Sequence, residues 1–138
     1  QFGQTVMSAD KPVMLALEGN LGAGKSFFAR SLLQQFGVTG AVRSPTYTLI
    51  EPYECELGTV LHLDLYRLAD PEEVLYLGLE DQLVNAALVM VEWPEKASGY
   101  LDNYDVRLTL EVTAESRRWQ LTAISDMGER LLRQLTTE

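Results

Sequence analysis

Residues Gly19-Asn20-Leu21-Gly22-Ala23-Gly24-Lys25-Ser26 match the pattern G-x-x-x-x-G-K-[ST] at every fixed position. The residue types dictate the chemistry. Glycines let the backbone curl so that successive amides point at phosphate oxygens. Lys25 brings a positive charge to the β- and γ-phosphates, and the Ser26 hydroxyl can ligate Mg2+. The candidate nucleotide-binding set is therefore Asn20, Leu21, Gly22, Ala23, Gly24, Lys25, Ser26 and Phe27. Binding phosphate is not yet hydrolysis, which also needs groups that hold the metal and position a water. Asp64 closes the apolar-rich run Val60-Leu61-His62-Leu63, and Glu92 closes Leu88-Val89-Met90-Val91. In open α/β sheets ligands gather outside the carboxyl ends of the strands, so both acids are expected near the loop. An aspartate there suits Mg2+, and a glutamate suits orienting or polarising an attacking water. Thr46 lies in a loop where switch segments of phosphate-loop hydrolases reach the γ-phosphate. The candidate catalytic residues are Lys25, Asp64, Glu92 and Thr46, and the candidate metal ligands Ser26, Asp64 and Glu92.

These side chains need elements to hold them. Val13 to Leu17 is a short apolar run that reads as a buried strand leading into the glycine loop. Ser26 to Phe36 follows with apolar residues at helical spacing, and Gly37 stands where a left-handed helix stop belongs. A polar loop, Arg43-Ser44-Pro45-Thr46-Tyr47, precedes a short strand predicted over Thr48 to Glu51. From Thr59 to Tyr66, Leu61, Leu63 and Leu65 alternate with His62, Asp64 and Tyr66, which predicts a strand with one polar face. Asp70-Pro71-Glu72-Glu73 is a helix start with a capping box, and a second helical stretch runs from Leu79 to Asn85. Ala86 to Val91 reads as another buried strand. Alternation over Val106 to Val112 and around Trp119, Leu121 and Ala123 predicts an antiparallel pair, and Asp126 with Glu129 opens a last helix. The fold class expected is α/β: a phosphate-loop, three-layer domain over residues 1–138, with a central mostly parallel sheet, flanking helices and an antiparallel C-terminal hairpin.

Several residues have a plain structural reading. His62, the sole histidine, is placed to hydrogen-bond a neighbour and has no cysteine partner for zinc. Trp93 before Pro94 reads as packing that fixes Glu92, Tyr66 and Arg67 as a strand-end aromatic and a solvated cation, and Phe27-Phe28 as core. No Asn-Lys-x-Asp string occurs, so the guanine-reading element of GTPases is missing and ATP is the nucleotide expected.

Composition narrows the partners. Twenty Asp+Glu against 11 Lys+Arg give a formal net charge of −9. That balance argues against a surface that grips a nucleic-acid backbone, which is neutralised by Lys and Arg. No apolar run approaches the ~18 residues of a membrane helix. The lone Cys55 and the lack of a signal-peptide pattern set a reducing cytoplasmic location as the expectation. Because the chain begins with Gln1, its N-terminus is expected to be truncated.

Taken in order and spacing, Gly19 to Ser26, Ser44-Pro45-Thr46-Tyr47, His62-Leu63-Asp64-Leu65-Tyr66-Arg67, Asp70-Pro71-Glu72-Glu73 and Val91-Glu92-Trp93-Pro94 closely resemble the TsaE (YjeE) family of small bacterial ATPases. The likeness covers about the first two thirds of the chain. It implies a role in making threonylcarbamoyladenosine beside the anticodon of tRNAs that read codons starting with A. It also implies Mg-dependent ATP hydrolysis, weak alone and productive on a complex of the transferase subunit TsaD with TsaB, so that tRNA is served only indirectly. By motif, Lys25 holds phosphates, Ser26 and Asp64 serve Mg2+, Thr46 is the switch threonine and Glu92 acts at metal or water. The chain departs from the family in Ser26, where threonine is commoner, and in the short segment Gln1 to Ala9, where a strand and longer helix are usual and help build the adenine pocket. Two other function classes fit a phosphate loop: a non-catalytic ATP-sensing module in which the Ser44 to Thr48 loop is locked for a partner, and a small-molecule kinase, which the absence of an arginine-rich lid disfavours.

Overall fold

The computed structural model describes residues 2–20, 24–39 and 49–136. Seven-residue helix α1 (Phe2–Ser8) leads into strand β1 (Val13–Gly19), the glycine loop and helix α2 (Lys25–Gln35). Strands β2 (Ile50–Cys55) and β3 (Gly58–Asp64) follow, then a 3-10 turn over Pro71–Tyr76, helix α3 (Leu79–Leu83) and strand β4 (Ala86–Glu92). A second 3-10 turn over Pro94–Ala97, strands β5 (Val106–Val112) and β6 (Arg117–Ala123), and helix α4 (Asp126–Thr136) complete the order.

The six strands form one sheet in the order β2-β3-β4-β1-β5-β6. Pairs β3-β4, β4-β1 and β1-β5 are parallel, and the outer pairs β2-β3 and β5-β6 are antiparallel. The expected mostly parallel sheet with an antiparallel C-terminal hairpin is therefore found. Strands buried on both faces lose the polar alternation of a half-exposed strand, which is why β1 and β4 read as continuous apolar runs. On one face Val13, Leu15, Leu17, Leu88, Met90, Val106 and Leu108 pack under Val6 of α1, Ala29 and Leu33 of α2 and Leu131 of α4. On the other, Met14, Ala16, Leu61, Leu63, Val89 and Val91 pack against Val74, Leu79 and Ala97 of the short turns and α3.

Asp105 ties the layers together. Its Oδ2 accepts from the Met14 amide at 2.8 Å and its Oδ1 from Ser125 Oγ at 2.6 Å. Its carbonyl accepts from the Ile124 amide, and the same carbonyl lies where a Cβ on Gly128 would have to go. Helix α4 can approach this close only because residue 128 has no side chain.

Three local readings change. Residues 2–8, given no element by the sequence reading, form α1: Val6 is buried and Thr5 Oγ1 donates to Gln134 Oε1 at 2.7 Å, so docking on α4 stabilises a helix too short to stand alone. The strand predicted over 48–51 lies later, as β2, and is an antiparallel edge partner of β3. The Asp70 start is a 3-10 turn. Asp70 Oδ1 accepts from the Glu72 amide at 2.9 Å as expected, but Glu73 accepts from Ala69 at 3.4 Å, since a tighter turn moves the box by one residue. The polar face predicted for β3 is found, and it is dry: His62 and Asp64 are both buried.

Candidate functional site

Parallel register places the acids side by side. Asp64 of β3 is level with Glu92 of β4, and Glu92 is level with Leu17 of β1. Residues that are level across a sheet share a face, so Asp64, His62 and Glu92 continue the apolar face covered by α2 up to the carboxyl ends of the strands. The sheet turns from hydrocarbon to oxygen where α2 begins.

Gly24 precedes α2 with φ +111, a conformation that L side chains rarely adopt, and lets the chain turn straight from the loop into the helix. Lys25 and Ser26 thereby occupy the first turn, facing the acids. Ser26 Oγ donates to the Glu92 carboxylate, with Oε1 at 3.1 Å and Oε2 at 3.0 Å. His62 Nε2 lies 2.6 Å from Glu92 Oε2. Glu92, at 3% exposure, is thus held from both sides by polar groups. His62 is 1% exposed, and its Nδ1 finds no hydrogen-bond partner among the described residues.

Lys25 is drawn back into the protein. Its Nζ donates to the Gly19 carbonyl at 2.8 Å and sits 3.6 Å from the centroid of the Trp93 ring. Burial lowers its pKa from the ordinary lysine value, against the pull of the Glu92, Glu95, Asp64 and Glu18 carboxylates. Trp93 in turn packs against Tyr66, with ring centroids 5.1 Å apart. Its backbone is left-handed, with φ 59, which is uncommon for a residue with a side chain. Asp64 Oδ1 accepts from the Tyr66 amide at 3.0 Å. Burial raises its pKa, reinforced by Glu92 and opposed by the Tyr66 amide, His62 and Lys25. A cation over an aromatic face, a hydroxyl and two buried carboxylates make a set of oxygen donors and one positive charge, which suits a phosphate with a hard metal ion.

The structure brings Lys25, Ser26, Asp64 and Glu92 together. Asn20 is exposed at the end of β1, and Gly24 is the helix entry just described. Leu21, Gly22, Ala23 and Thr46 lie outside the described residues. Phe27 is not core: its side chain is 61% exposed, because Lys25, Ala29 and Leu33, four apart, form the buried stripe of α2 and Phe27 falls off it. Phe28 is half-buried against Trp119, at 5.6 Å between centroids. Trp93, expected to serve as packing alone, also meets Lys25, a contact with no signal in the local sequence. The spacing of His62 and Asp64, two apart on a strand, did place the imidazole on the acids' face.

Comparison with known proteins gives a family, relatives and a structural neighbour. A family model described as "Threonylcarbamoyl adenosine biosynthesis protein TsaE" matches residues 1–120. The chain is 37% identical over 126 residues to the tRNA threonylcarbamoyladenosine biosynthesis protein TsaE of Haemophilus influenzae, spanning 91% of this chain and 80% of that protein. It is 31% identical over 124 residues to the protein of that name from Bacillus subtilis, spanning 89% and 77%. The crystal structure of Bacillus subtilis YdiB superimposes with a TM-score of 0.76 at 25% identity, covering 99% of this chain and 84% of that one.

Proposed function

The chain belongs to the TsaE family, and so takes part in tRNA threonylcarbamoyladenosine biosynthesis; on that premise we propose that it is a Mg-dependent ATPase that acts on a TsaD–TsaB transferase pair. One observation carries the reading: Ser26 at the entry of α2 touches Glu92, which stands level with Asp64, so loop hydroxyl and both strand-end acids meet at one point.

Each residue then has a task. Loop amides and Lys25 hold the triphosphate, and Lys25 must leave the Gly19 carbonyl to do so. Ser26 and Asp64 would hold Mg2+, with Glu92 beside them. A hydroxyl and one or two carboxylates, completed by phosphate oxygens and water, are what this ion accepts. Among the described residues no group of three or more His, Cys, Asp or Glu side chains could hold a metal ion. Bound Mg2+ would neutralise charge building on the phosphates. Glu92, kept in place by His62 after Ser26 turns away, orients a water and can take its proton.

The acidic balance of the chain fits a site for tRNA on the partners and not on this surface. No helix among the described residues is long and apolar enough to cross a membrane. A cytoplasmic location belongs to the proposal, because the tRNAs that the transferase pair modifies are found there. Sizing chromatography with the transferase pair, with and without Mg-ATP, tests the reading. Co-elution that depends on nucleotide supports it, and profiles indifferent to nucleotide contradict it.

A further inference from the structure

A second cation reaches the phosphate loop from the far end of the chain. A Cβ on Gly24 would stand 3.2 Å from Leu110 Cδ2 and 3.6 Å from Arg117 Nη1, so the guanidinium lies against the last glycine of the loop. Register explains how it gets there. Arg117 pairs with Val112 and Trp119 with Leu110, and Trp119 stacks on Phe28 of α2, so these β6 side chains share the face on which α2 lies. Arg118, level with Glu111, points to the other face. Arg117 is exposed and makes no ion pair among the described residues, where the pairs found are His62 with Glu92 and Arg107 with Glu18. In a chain of net charge −9, this guanidinium beside the phosphate loop has no carboxylate partner among the described residues.

We propose that Arg117 is a nucleotide-binding residue whose guanidinium engages the α/β-phosphate end of the nucleotide. The assignment rests on the nucleotide reading of the loop. In the sheet order, β1 separates β3 and β4, which carry Asp64 and Glu92, from β5 and β6. Arg117 therefore approaches the loop from the side opposite the acids. Hydrolytic chemistry and the metal belong beside the acids, at the γ end, which leaves the α- and β-phosphates to a group on the hairpin side. The loop amides cradle those same two phosphates, and a planar guanidinium fork pairs with phosphate oxygens two at a time. Such a contact strengthens ADP and ATP alike.

Calorimetric titration with ADP and with non-hydrolysable ATP analogue tests it on the wild type, Arg117→Ala, Arg117→Lys and Arg118→Ala. Loss of a charge-assisted phosphate contact predicts affinities about tenfold to hundredfold weaker for both nucleotides in Arg117→Ala. Arg117→Lys should recover part of the loss. Arg118→Ala removes the same charge from the opposite face and should bind as wild type does. Because Arg117 is exposed, the melting temperature without nucleotide should not move. The assignment is overturned if Arg117→Ala binds normally, if it loses ATP analogue but keeps ADP, or if Arg118→Ala loses as much. A wild type that binds neither nucleotide overturns the reading of the loop itself.

Discussion

Replacing Glu92 by Gln separates effects on stability, on nucleotide affinity and on the proposed chemical step. Gln keeps the shape, so the two contacts survive in weaker form: Ser26 Oγ at 3.0–3.1 Å and His62 Nε2 at 2.6 Å no longer face a charge. A hydrogen bond to a charged group contributes about 1.5–3 kcal/mol and a neutral one about 0.5–1.5, so the two together lose about 2 kcal/mol. Removing a buried carboxylate level with Asp64 relieves repulsion and burial, which offsets part of this. The net destabilisation should be about 1 kcal/mol, a fall of about 3–4 °C in melting temperature at this chain length. Nucleotide affinity should hold within about threefold, because Lys25 and the loop amides are untouched. On the proposed role of Glu92 as the group that takes the water's proton, its loss should slow the chemical step by about a hundredfold or more. Thermal unfolding, ADP titration and single-turnover hydrolysis with the transferase pair read the three effects on one variant. Hydrolysis at the wild-type rate would refute the assignment. A fall in affinity that accounts for the whole loss of rate would instead make Glu92 a binding group and refute its action on water.

Other perturbations bear on the same cluster and on the scaffold under it. His62→Ala leaves a buried carboxylate short of a partner and opens a cavity, so it should lower stability by about 2–4 kcal/mol, with His62→Gln recovering part, as read by urea unfolding. Asp64→Asn should abolish Mg-dependent nucleotide binding yet stabilise the free protein at neutral pH. Its raised pKa means that the folded state holds the proton more tightly than the unfolded chain, so the stability this group contributes is present below the unfolded value of about 3.9 and is lost as pH rises through the native one. Asn does not ionise, and its advantage should shrink in acid; denaturant midpoints at both pH values check this, and a less stable variant at neutral pH contradicts it. Gly128→Ala drives a methyl group into the Asp105 carbonyl and should lower stability by about 2–3 kcal/mol, while a variant that melts like the wild type would mean that α4 can retreat at no cost.

Much of the frame is legible from short-range pattern. Val13 to Gly19 and Ala86 to Glu92 announce themselves as buried parallel strands by unbroken apolar runs, and the glycine loop fixes what must follow the first. Lys25, Ser26, Asp64 and Glu92 stand together because strand ends and the loop share one edge of the sheet, a topological fact that residue types at strand ends suffice to suggest. Other features depend on what lies on top. Alternation in β3 reveals a polar face but not that the face is dry, since that is decided by α2 and the neighbouring strands. The left-handed turn at Trp93 and its contact with Lys25 have no local signal: tryptophan is not a residue expected at positive φ, and its ring contacts, Lys25 and Tyr66, lie far away in sequence. Helix α1 is invisible for a related reason, being stabilised by Val6 and Thr5 against distant partners and not by its own propensity.

The central claim is that this chain hydrolyses ATP at the point where Ser26, Asp64 and Glu92 meet. Release of labelled phosphate from γ-labelled ATP, measured with the transferase pair and Mg2+ for the wild type, Lys25→Ala and Glu92→Gln, tests it most directly. Steady turnover by the wild type that falls to background in both variants is the predicted result. Intact ATP after prolonged incubation of the wild type with its partners, or turnover that both variants retain, would contradict it.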